Sequence, residues 1–155
     1  MSSEKARKII NEVIQETSEK AKDLENSFIA NRNVILKTRD GLKKVLESKC
    51  SSELNWIKMN IDKSKTQEYQ KKVEEFEKCT VTNDFGFSDF IKSLENEQKN
   101  LQLSDSSCLN ECEIKEKSDD QLKNCFADCI NRSFANYYTL MNKMQSKMND
   151  INKLL

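Results

Sequence analysis

Histidine and proline are absent from this chain of 155 residues, which contains only two glycines, Gly41 and Gly86. Tight turns between β-strands commonly use glycine, and histidine is the most common general base in catalysis. These absences disfavour a β-rich fold and remove the Ser-His-Asp and Cys-His catalytic sets. A phosphate-binding glycine loop is also missing. The sequence therefore predicts an all-α protein that is not an enzyme and uses no cofactor.

The charges of the chain balance, with 26 Lys and Arg against 26 Asp and Glu. Such a balance gives no support for a general binder of nucleic acid or of anionic membranes. No apolar run reaches the 18 residues of a spanning helix, so we expect no membrane span. The N-terminus, Met-Ser-Ser-Glu-Lys-Ala-Arg-Lys, lacks the apolar segment of a signal peptide. It is typical of a mature secreted protein with an added initiator Met, or of a chain that enters its compartment without a cleaved signal.

A seam with alternating intervals of four and three residues runs from Ile10 to Val45, and it is apolar except at Thr17, Asn31 and Thr38. This period predicts one long amphipathic helix over about 4–49, with Gly41 as the expected place for a bend or break. The helix could pair with a second copy as a coiled coil. Because later segments supply matching apolar faces, we favour packing within one chain, and therefore a monomer over a coiled-coil dimer.

Turn and capping signals divide the rest of the chain into four short helices and a second long one. Breaks are predicted in the polar run 62–68, the loop 80–87 and the polar run 103–107, and Ser118-Asp-Asp-Gln is a capping box. The expected helices are 52–62, 66–78, 88–102, 106–116 and 119–154. No repeat or linker indicates a second domain. We therefore expect residues 1–155 to form a single disulfide-stapled bundle of five to six helices, with the two long helices packed against each other.

Four of the six cysteines lie in two pairs with four-residue spacing, Cys108 with Cys112 and Cys125 with Cys129. Residues four apart share one face of a helix. A hairpin folded about Ser118-Asp119 places Cys108 opposite Cys129 and Cys112 opposite Cys125. The spacing therefore predicts two nested disulfides and an oxidising compartment.

The remaining cysteines, Cys50 and Cys79, leave two alternatives. A continuous helix over 52–78 would hold its ends about 40 Å apart, which is too far for a disulfide. A break in the polar run 62–68 would form a hairpin instead and permit the bond Cys50–Cys79. We favour the hairpin, because it pairs the two cysteines that the nested disulfides leave over.

The twin Cys-x3-Cys pattern, with twelve residues between its halves, resembles the small Tim chaperones of the mitochondrial intermembrane space over roughly 105–145. The segment Cys125-Phe-Ala-Asp-Cys129-Ile-Asn-Arg-Ser-Phe is similar to the second arm of that motif. This resemblance implies an assembly or chaperone protein that is imported by oxidative trapping. Plant α-hairpinin peptides use the same spacing.

The chain as a whole, small, helical, with three expected disulfides and no catalytic set, resembles the salivary effectors of blood-feeding insects. That resemblance implies an extracellular, secreted protein. Such a protein binds a host protein of haemostasis, complement or immunity and blocks it by occupying its surface. We therefore expect a protein partner and no nucleic acid.

An apolar stripe on the last helix consists of Tyr137, Tyr138, Met141, Met144 and Met148. Methionine adapts to irregular shapes, so the stripe could line a groove for a small apolar ligand and make the chain a carrier. The alternative, ordinary core facing the first long helix, is the more common role of such a stripe. Zinc sites usually use Cys-x2-Cys spacing and often histidine, so no metal site is expected.

Overall fold

The computed structural model describes residues 4–116 and 118–155; Met1–Ser3, on which the signal-peptide prediction partly rests, and Lys117 lie outside them. The described residues are almost entirely helical and contain no strand, which confirms the all-α, disulfide-stapled fold. Their elements are α1 Glu4–Glu16, α2 Ser18–Lys49, α3 Ser51–Met59, a 3₁₀ turn Ile61–Lys63, α4 Gln67–Thr82, α5 Phe87–Lys115 and α6 Asp119–Leu154. In this part of the chain, no helix has the length and apolar character needed to cross a membrane.

The predicted helix 4–49 is interrupted at Thr17, between α1 and α2, whereas Gly41 lies inside α2. The hydroxyl of Thr17 donates to the carbonyl oxygens of Val13 at 2.9 Å and Ile14 at 3.3 Å. A threonine hydroxyl bonded one turn back competes with the backbone and often bends a helix. The expected break at Gly41 is therefore wrong. The helix is interrupted at Thr17 instead, where the side-chain hydroxyl bonds to the backbone.

A single helix of 29 residues, α5, replaces the two predicted helices 88–102 and 106–116. The polar run 103–107 does not end it. Within this run, the carboxylate of Asp105 accepts a hydrogen bond from the hydroxyl of Ser133 in α6 at 2.8 Å. The polar side chains of this run bond to α6 or face solvent, so they do not compete for the backbone hydrogen bonds of α5. The described residues therefore contain three long helices, α2, α5 and α6, where two were predicted.

The polar run 62–68 does break the chain, so α3 and α4 form a hairpin. The 3₁₀ turn follows α3, and the hydroxyl of Thr66 then caps α4 by accepting from the backbone N–H of Tyr69 at 3.3 Å. At the base of the hairpin, Cys50 is bonded to Cys79, with their Cα atoms 6.0 Å apart. The alternative of one continuous helix over 52–78 is thereby excluded.

The loop before α5 is shorter than the predicted 80–87, because α4 continues to Thr82. Asp84 is only 3% exposed, and its carboxylate accepts hydrogen bonds from the backbone N–H groups of Gly86 and Ser88, both at 3.0 Å. A carboxylate at this position satisfies amides that have no partner inside the helix and complements the helix dipole. Asp84 therefore fixes the first turn of α5.

Two compact units can be distinguished in the chain. The first contains α1, α2 as far as Arg32, and Leu94–Gln145. Its core is a cluster of buried side chains from α1, α5 and α6: Ala6, Ile9, Val13, Cys112, Leu122, Phe126 and Cys129. This cluster packs α1 against the hairpin of α5 and α6. The predicted packing of the first and last helices is also present at Phe28 and Tyr137, whose rings meet edge to face at 5.8 Å.

The second unit consists of Asn33–Ser93 and Ser146–Leu155. Its most deeply buried side chains are Thr38, Leu42, Cys50, Met148 and Ile151. The amide of Asn152 in α6 donates to the hydroxyl of Thr38 in α2 at 3.0 Å, and that hydroxyl donates to the carbonyl of Val34 at 2.9 Å. The buried hydroxyl is therefore fully paired. The expectation of one domain over 1–155 stays a prediction.

Candidate functional site

Two nested disulfides join α5 to α6 in the first unit. Cys108 is bonded to Cys129 and Cys112 to Cys125, with Cα–Cα distances of 5.9 and 5.7 Å. These are the pairs that the cysteine spacing predicted. The sulfur of Cys112 lies 3.6 Å from that of Cys129, so the two bonds pack against each other. The double connection fixes the distance between the helices and makes the neighbouring surface rigid.

An apolar groove of about 330 Å³ lies beside this pair of disulfides, within the first unit. Its walls come from α1 and the start of α2 on one side and from α5 and α6 on the other. The lining residues are Ile10, Ile14, Thr17, Ala21, Asp105, Leu109, Cys129, Ile130, Ser133 and Phe134. Ile14 is 51% exposed, and Leu109, Ile130 and Phe134 are partly exposed. The apolar groove therefore leaves several large side chains in contact with water on a rigid frame.

The polar part of the apolar groove is small and internally paired. Asp105 and Ser133 make the hydrogen bond described above, so neither group requires a ligand. Asp105 also acts on Tyr137, which lies one turn beyond Ser133 on α6. Burial raises the pKa of Tyr137 above its ordinary value of 10.0, and the charge of Asp105 raises it further. The tyrosine therefore stays neutral at physiological pH and remains an apolar neighbour of the groove with a hydroxyl at its tip.

The stripe predicted on the last helix is divided by the structure. Met141 and Met148 are buried, Tyr137 and Met144 are partly buried, and Tyr138 is exposed. Buried methionines fit the alternative that part of the stripe is ordinary core. The stripe as a ligand-binding face stays a prediction.

The apolar groove collects residues that the sequence did not assign to a site. Four of them follow the helical period predicted for 4–49: Ile10, Ile14, Thr17 and Ala21. Phe134 follows the period predicted for 119–154. Their periodicity marks an apolar face but not whether a neighbour covers it. Exposure of Ile14 depends on how α5 and α6 pack beside α1, and that is a matter of tertiary packing.

Three sulfur atoms, those of Cys112, Cys125 and Cys129, lie within 4.8 Å of one another. Their proximity follows from the packing of the two disulfides. Cysteine binds zinc as a thiolate, and a sulfur engaged in a disulfide is not a thiolate. In the oxidised protein the cluster is therefore part of the staple, and a metal would need prior reduction of both bonds.

Charged side chains surround the start of α6 in the first unit. Lys123 pairs with Glu16 at 2.7 Å and lies 3.9 Å from Glu12, and Lys5 pairs with Asp119. The hydrogen bond to Glu16 is the main reason why the pKa of Lys123 is raised above 10.5. All of these groups are exposed, so the pairs orient α1 against α6 and contribute little free energy.

The second unit carries a larger pocket, of about 630 Å³, which is defined by α2, α3, α4 and the start of α5. Its lining residues are Arg39, Asp40, Leu42, Lys43, Leu46, Glu47, Leu54, Phe76, Thr80, Asp84, Phe87 and Ser88. The leucine and phenylalanine side chains supply an apolar surface, and charges of both signs come from one face of α2. None of these residues belongs to the predicted Tyr and Met stripe.

Comparison with known proteins leaves the site to be judged on its geometry alone: no family model, no curated protein and no solved structure matches this chain.

Proposed function

We propose that this chain is a non-catalytic secreted binding protein that blocks a partner protein by occupying its surface, with the apolar groove as the contact. The observation that carries the proposal is an exposed apolar groove on a doubly disulfide-bonded helix hairpin. A rigid surface loses little conformational entropy on binding, so more of the contact energy appears as affinity. The absence of histidine and the balanced charge support a binding role over catalysis or nucleic-acid recognition.

The chemistry of the groove favours a helical or extended segment with apolar anchors as the bound part of the partner. Helix-in-groove recognition places side chains at i, i+3, i+4 and i+7 into an apolar cleft. Ile14 on one wall and Ile130 and Phe134 on the other could receive such anchors. The hydrogen-bonded pair of Asp105 and Ser133 is the polar place in the groove wall, and it could orient the bound segment.

The direct test is inhibition of a host cascade, such as clotting or complement, by the oxidised protein, together with partner pull-down. Substituting Ile14→Asp places a charge in the groove and should weaken inhibition and capture at least about tenfold. Ile29→Asp is a matched control, because Ile29 is also about half exposed but does not line the groove. Equal effects of the two variants would contradict the assignment of the groove. No inhibition and no specific partner would contradict the binding function itself.

The intermembrane-space alternative keeps the same groove but changes the compartment. It is supported by the nested bonds of the twin Cys-x3-Cys segment, which that class of protein acquires by oxidation on import. Expressing the native full-length chain in its own cells with a small epitope tag distinguishes the two. Secretion into the medium supports the secreted protein, and retention in mitochondria supports the assembly or chaperone protein.

A carrier of a small apolar ligand is the second alternative, and the pocket of the second unit favours it. Its volume of about 630 Å³ falls in the range of small-molecule sites. A fluorescent apolar probe should bind there. Its binding should be weaker in the variant Leu46→Glu, which places a charge in the lining. Met144→Glu tests the predicted Tyr and Met stripe in the same assay. Probe binding that neither variant changes would argue against a carrier at either place.

A further inference from the structure

The distal part of the α3–α4 hairpin combines high exposure with an excess of positive charge. Every residue from 58 to 68 except Asn60 is exposed. Two large aliphatic side chains stand at its turn, Met59 with 82% exposure and Ile61 with 63%. Single exposed aliphatic residues are ordinary, but two of them separated by one residue at the tip of a disulfide-bonded hairpin form a compact apolar point.

Lysine surrounds this apolar point. Residues 54–72 contain five lysines and two acidic residues, although the whole chain has no net charge. Lys58, Lys63 and Lys65 are all exposed and lie within four residues of Met59 or Ile61. The hairpin of α5 and α6 has the opposite character, since residues 108–124 contain five acidic residues and three lysines. The α3–α4 turn therefore carries a local excess of positive charge.

Aromatic side chains lie one helical turn behind the apolar point. Trp56 and Tyr69 are partly buried, and their rings pair at 6.2 Å between α3 and α4. The ammonium group of Lys72 lies 5.9 Å from the centre of the Trp56 ring. An apolar tip followed by amphipathic aromatic rings and lysines matches the layers of a membrane interface, which are acyl chains, then headgroups, then anionic surface charge.

We propose that the tip of the α3–α4 hairpin, formed by Met59 and Ile61 with Lys58, Lys63 and Lys65, binds the surface of anionic phospholipid membranes. The two aliphatic side chains enter the boundary of the acyl chains, and the lysines contact the headgroups. Two aliphatic side chains and three lysines form a surface smaller than a specific protein interface, which buries about 800 Å² on each partner. A fluid lipid surface can surround it. This contact is separate from the apolar groove, so it adds membrane attachment to the proposed binding function.

Trp56 is the only tryptophan of the chain, so its fluorescence reports directly on this hairpin. The oxidised full-length protein is mixed at low ionic strength with one of two kinds of vesicle. The first is phosphatidylcholine alone, and the second contains phosphatidylcholine and phosphatidylserine in equal amounts. Co-sedimentation provides a second measurement of binding. We expect binding and a shift of the Trp56 emission to shorter wavelength only with phosphatidylserine. Added salt should release the protein, since the lysine contribution is screened.

Two variants and one matched control decide which side chains carry the binding. The double variant Met59→Gln, Ile61→Gln should weaken binding about tenfold or more, because it removes the inserted apolar groups. Lys63→Gln should weaken it about fivefold, as expected for one lysine at an anionic surface. Ile114→Gln is the control: Ile114 is also 82% exposed but lies in the acidic hairpin, so binding should not change. Circular dichroism checks that each variant is folded.

The proposal is overturned if vesicles with phosphatidylserine fail to bind the oxidised protein, or if Met59→Gln, Ile61→Gln binds as well as the parent. Polyglutamate serves as an acidic macromolecule without a lipid interior. Equal binding to polyglutamate, with the same dependence on Met59 and Ile61, would also overturn it and would identify the tip as a contact for an acidic protein. These results leave the groove test at Ile14 unaffected, because that test is made without lipid.

Discussion

The two glycines of the chain lie in opposite environments, and alanine at each should have opposite effects. Gly86 has φ +79°, in the left-handed region, where an added Cβ is strained although its nearest neighbour, Lys147 Nζ at 3.7 Å, is at an ordinary contact distance. Gly41 lies in the middle of α2, where alanine favours the helix, and its Cβ would meet only the far end of the Leu155 side chain at 2.9 Å. Leu155 is partly exposed, so it can move aside.

We therefore expect Gly86→Ala to lower the free energy of unfolding by about 1–2 kcal/mol. Gly41→Ala should raise it by roughly 0.5–1 kcal/mol. Urea unfolding of the oxidised proteins measures both. A loss of stability at Gly41 would mean that Leu155 is fixed in place, and no loss at Gly86 would mean that the loop can change its backbone conformation.

The structure predicts the direction in which the pKa of Tyr137 is shifted. Its pKa is raised above 10.0 by burial and then by the charge of Asp105. Because the folded state keeps the proton longer than the unfolded state, this group contributes its full stability below pH 10 and loses it as the pH rises through the folded pKa. The pKa of Lys123 is likewise raised, from 10.5, mainly by its hydrogen bond to Glu16, so its contribution to stability is also lost as the pH rises.

The expected outcome is that the Tyr137 ring, followed by nuclear magnetic resonance, titrates above pH 10.0 and that Asp105→Asn lowers its pKa without removing the whole shift. Asparagine can still accept the hydrogen bond from Ser133, so the groove wall is kept. An unchanged Tyr137 titration in Asp105→Asn would show that the carboxylate does not act on the ring.

One disulfide closes the α3–α4 hairpin, whereas two disulfides close the hairpin of α5 and α6. Cys50–Cys79 closes 29 residues alone, whereas Cys108–Cys129 and Cys112–Cys125 close 21 and 13 residues in the same hairpin. In the chain-entropy description, a single loop of these sizes contributes about 3–4 kcal/mol. When one nested bond is kept, removing the other leaves a hairpin that is already closed.

We therefore expect the paired substitution Cys50→Ala, Cys79→Ala to cost more stability than the removal of either nested pair by itself. Removal of both nested pairs should cost clearly more than either removal, because the hairpin then opens entirely. Thermal and urea unfolding of the paired alanine variants measure these differences. If removal of both nested pairs cost no more than removal of one, the bond that remains after a single removal would contribute nothing, which would contradict this expectation.

Element boundaries show where a local pattern is sufficient. The start of α6 at Asp119 agrees with the predicted capping box, and the N–H of Gln121 donates to the Ser118 hydroxyl at 3.2 Å. The break in α3–α4 also follows from a long polar run. The equally polar run 103–107 remains helical, because Asp105 finds its partner on α6. A side chain that is paired across helices cannot be told from a helix breaker by sequence alone.

At the scale of the whole molecule, the two compact units allow a test of whether they unfold together. Hydrogen exchange should be slow at buried positions of each unit, such as Val13 and Phe126 in the first and Leu42 and Met148 in the second. The exposed turn Ile61–Lys63 should exchange faster by several orders of magnitude.

Removing Cys50–Cys79 should then accelerate exchange at Leu42 and Met148, while Val13 and Phe126 stay slow, because the lost bond constrains only the second unit. Removal of the nested disulfides should have the reverse effect. If either change accelerated all four sites equally, the chain would unfold as one cooperative domain, as the sequence predicts.

The amino-acid sequence is sufficient to predict the helical class and the cysteine pairs. Both depend on local composition and on distances along the chain, since helix formers without turn residues give helices and mirrored spacing brings cysteines together. Which apolar residues remain in water follows instead from the packing of the helices. Val13 and Ile14 belong to two adjacent apolar faces of α1, yet Val13 is in the core while Ile14 is exposed in the groove. The reason is that burial depends on which helices cover a face, and this is not encoded in the period of that face.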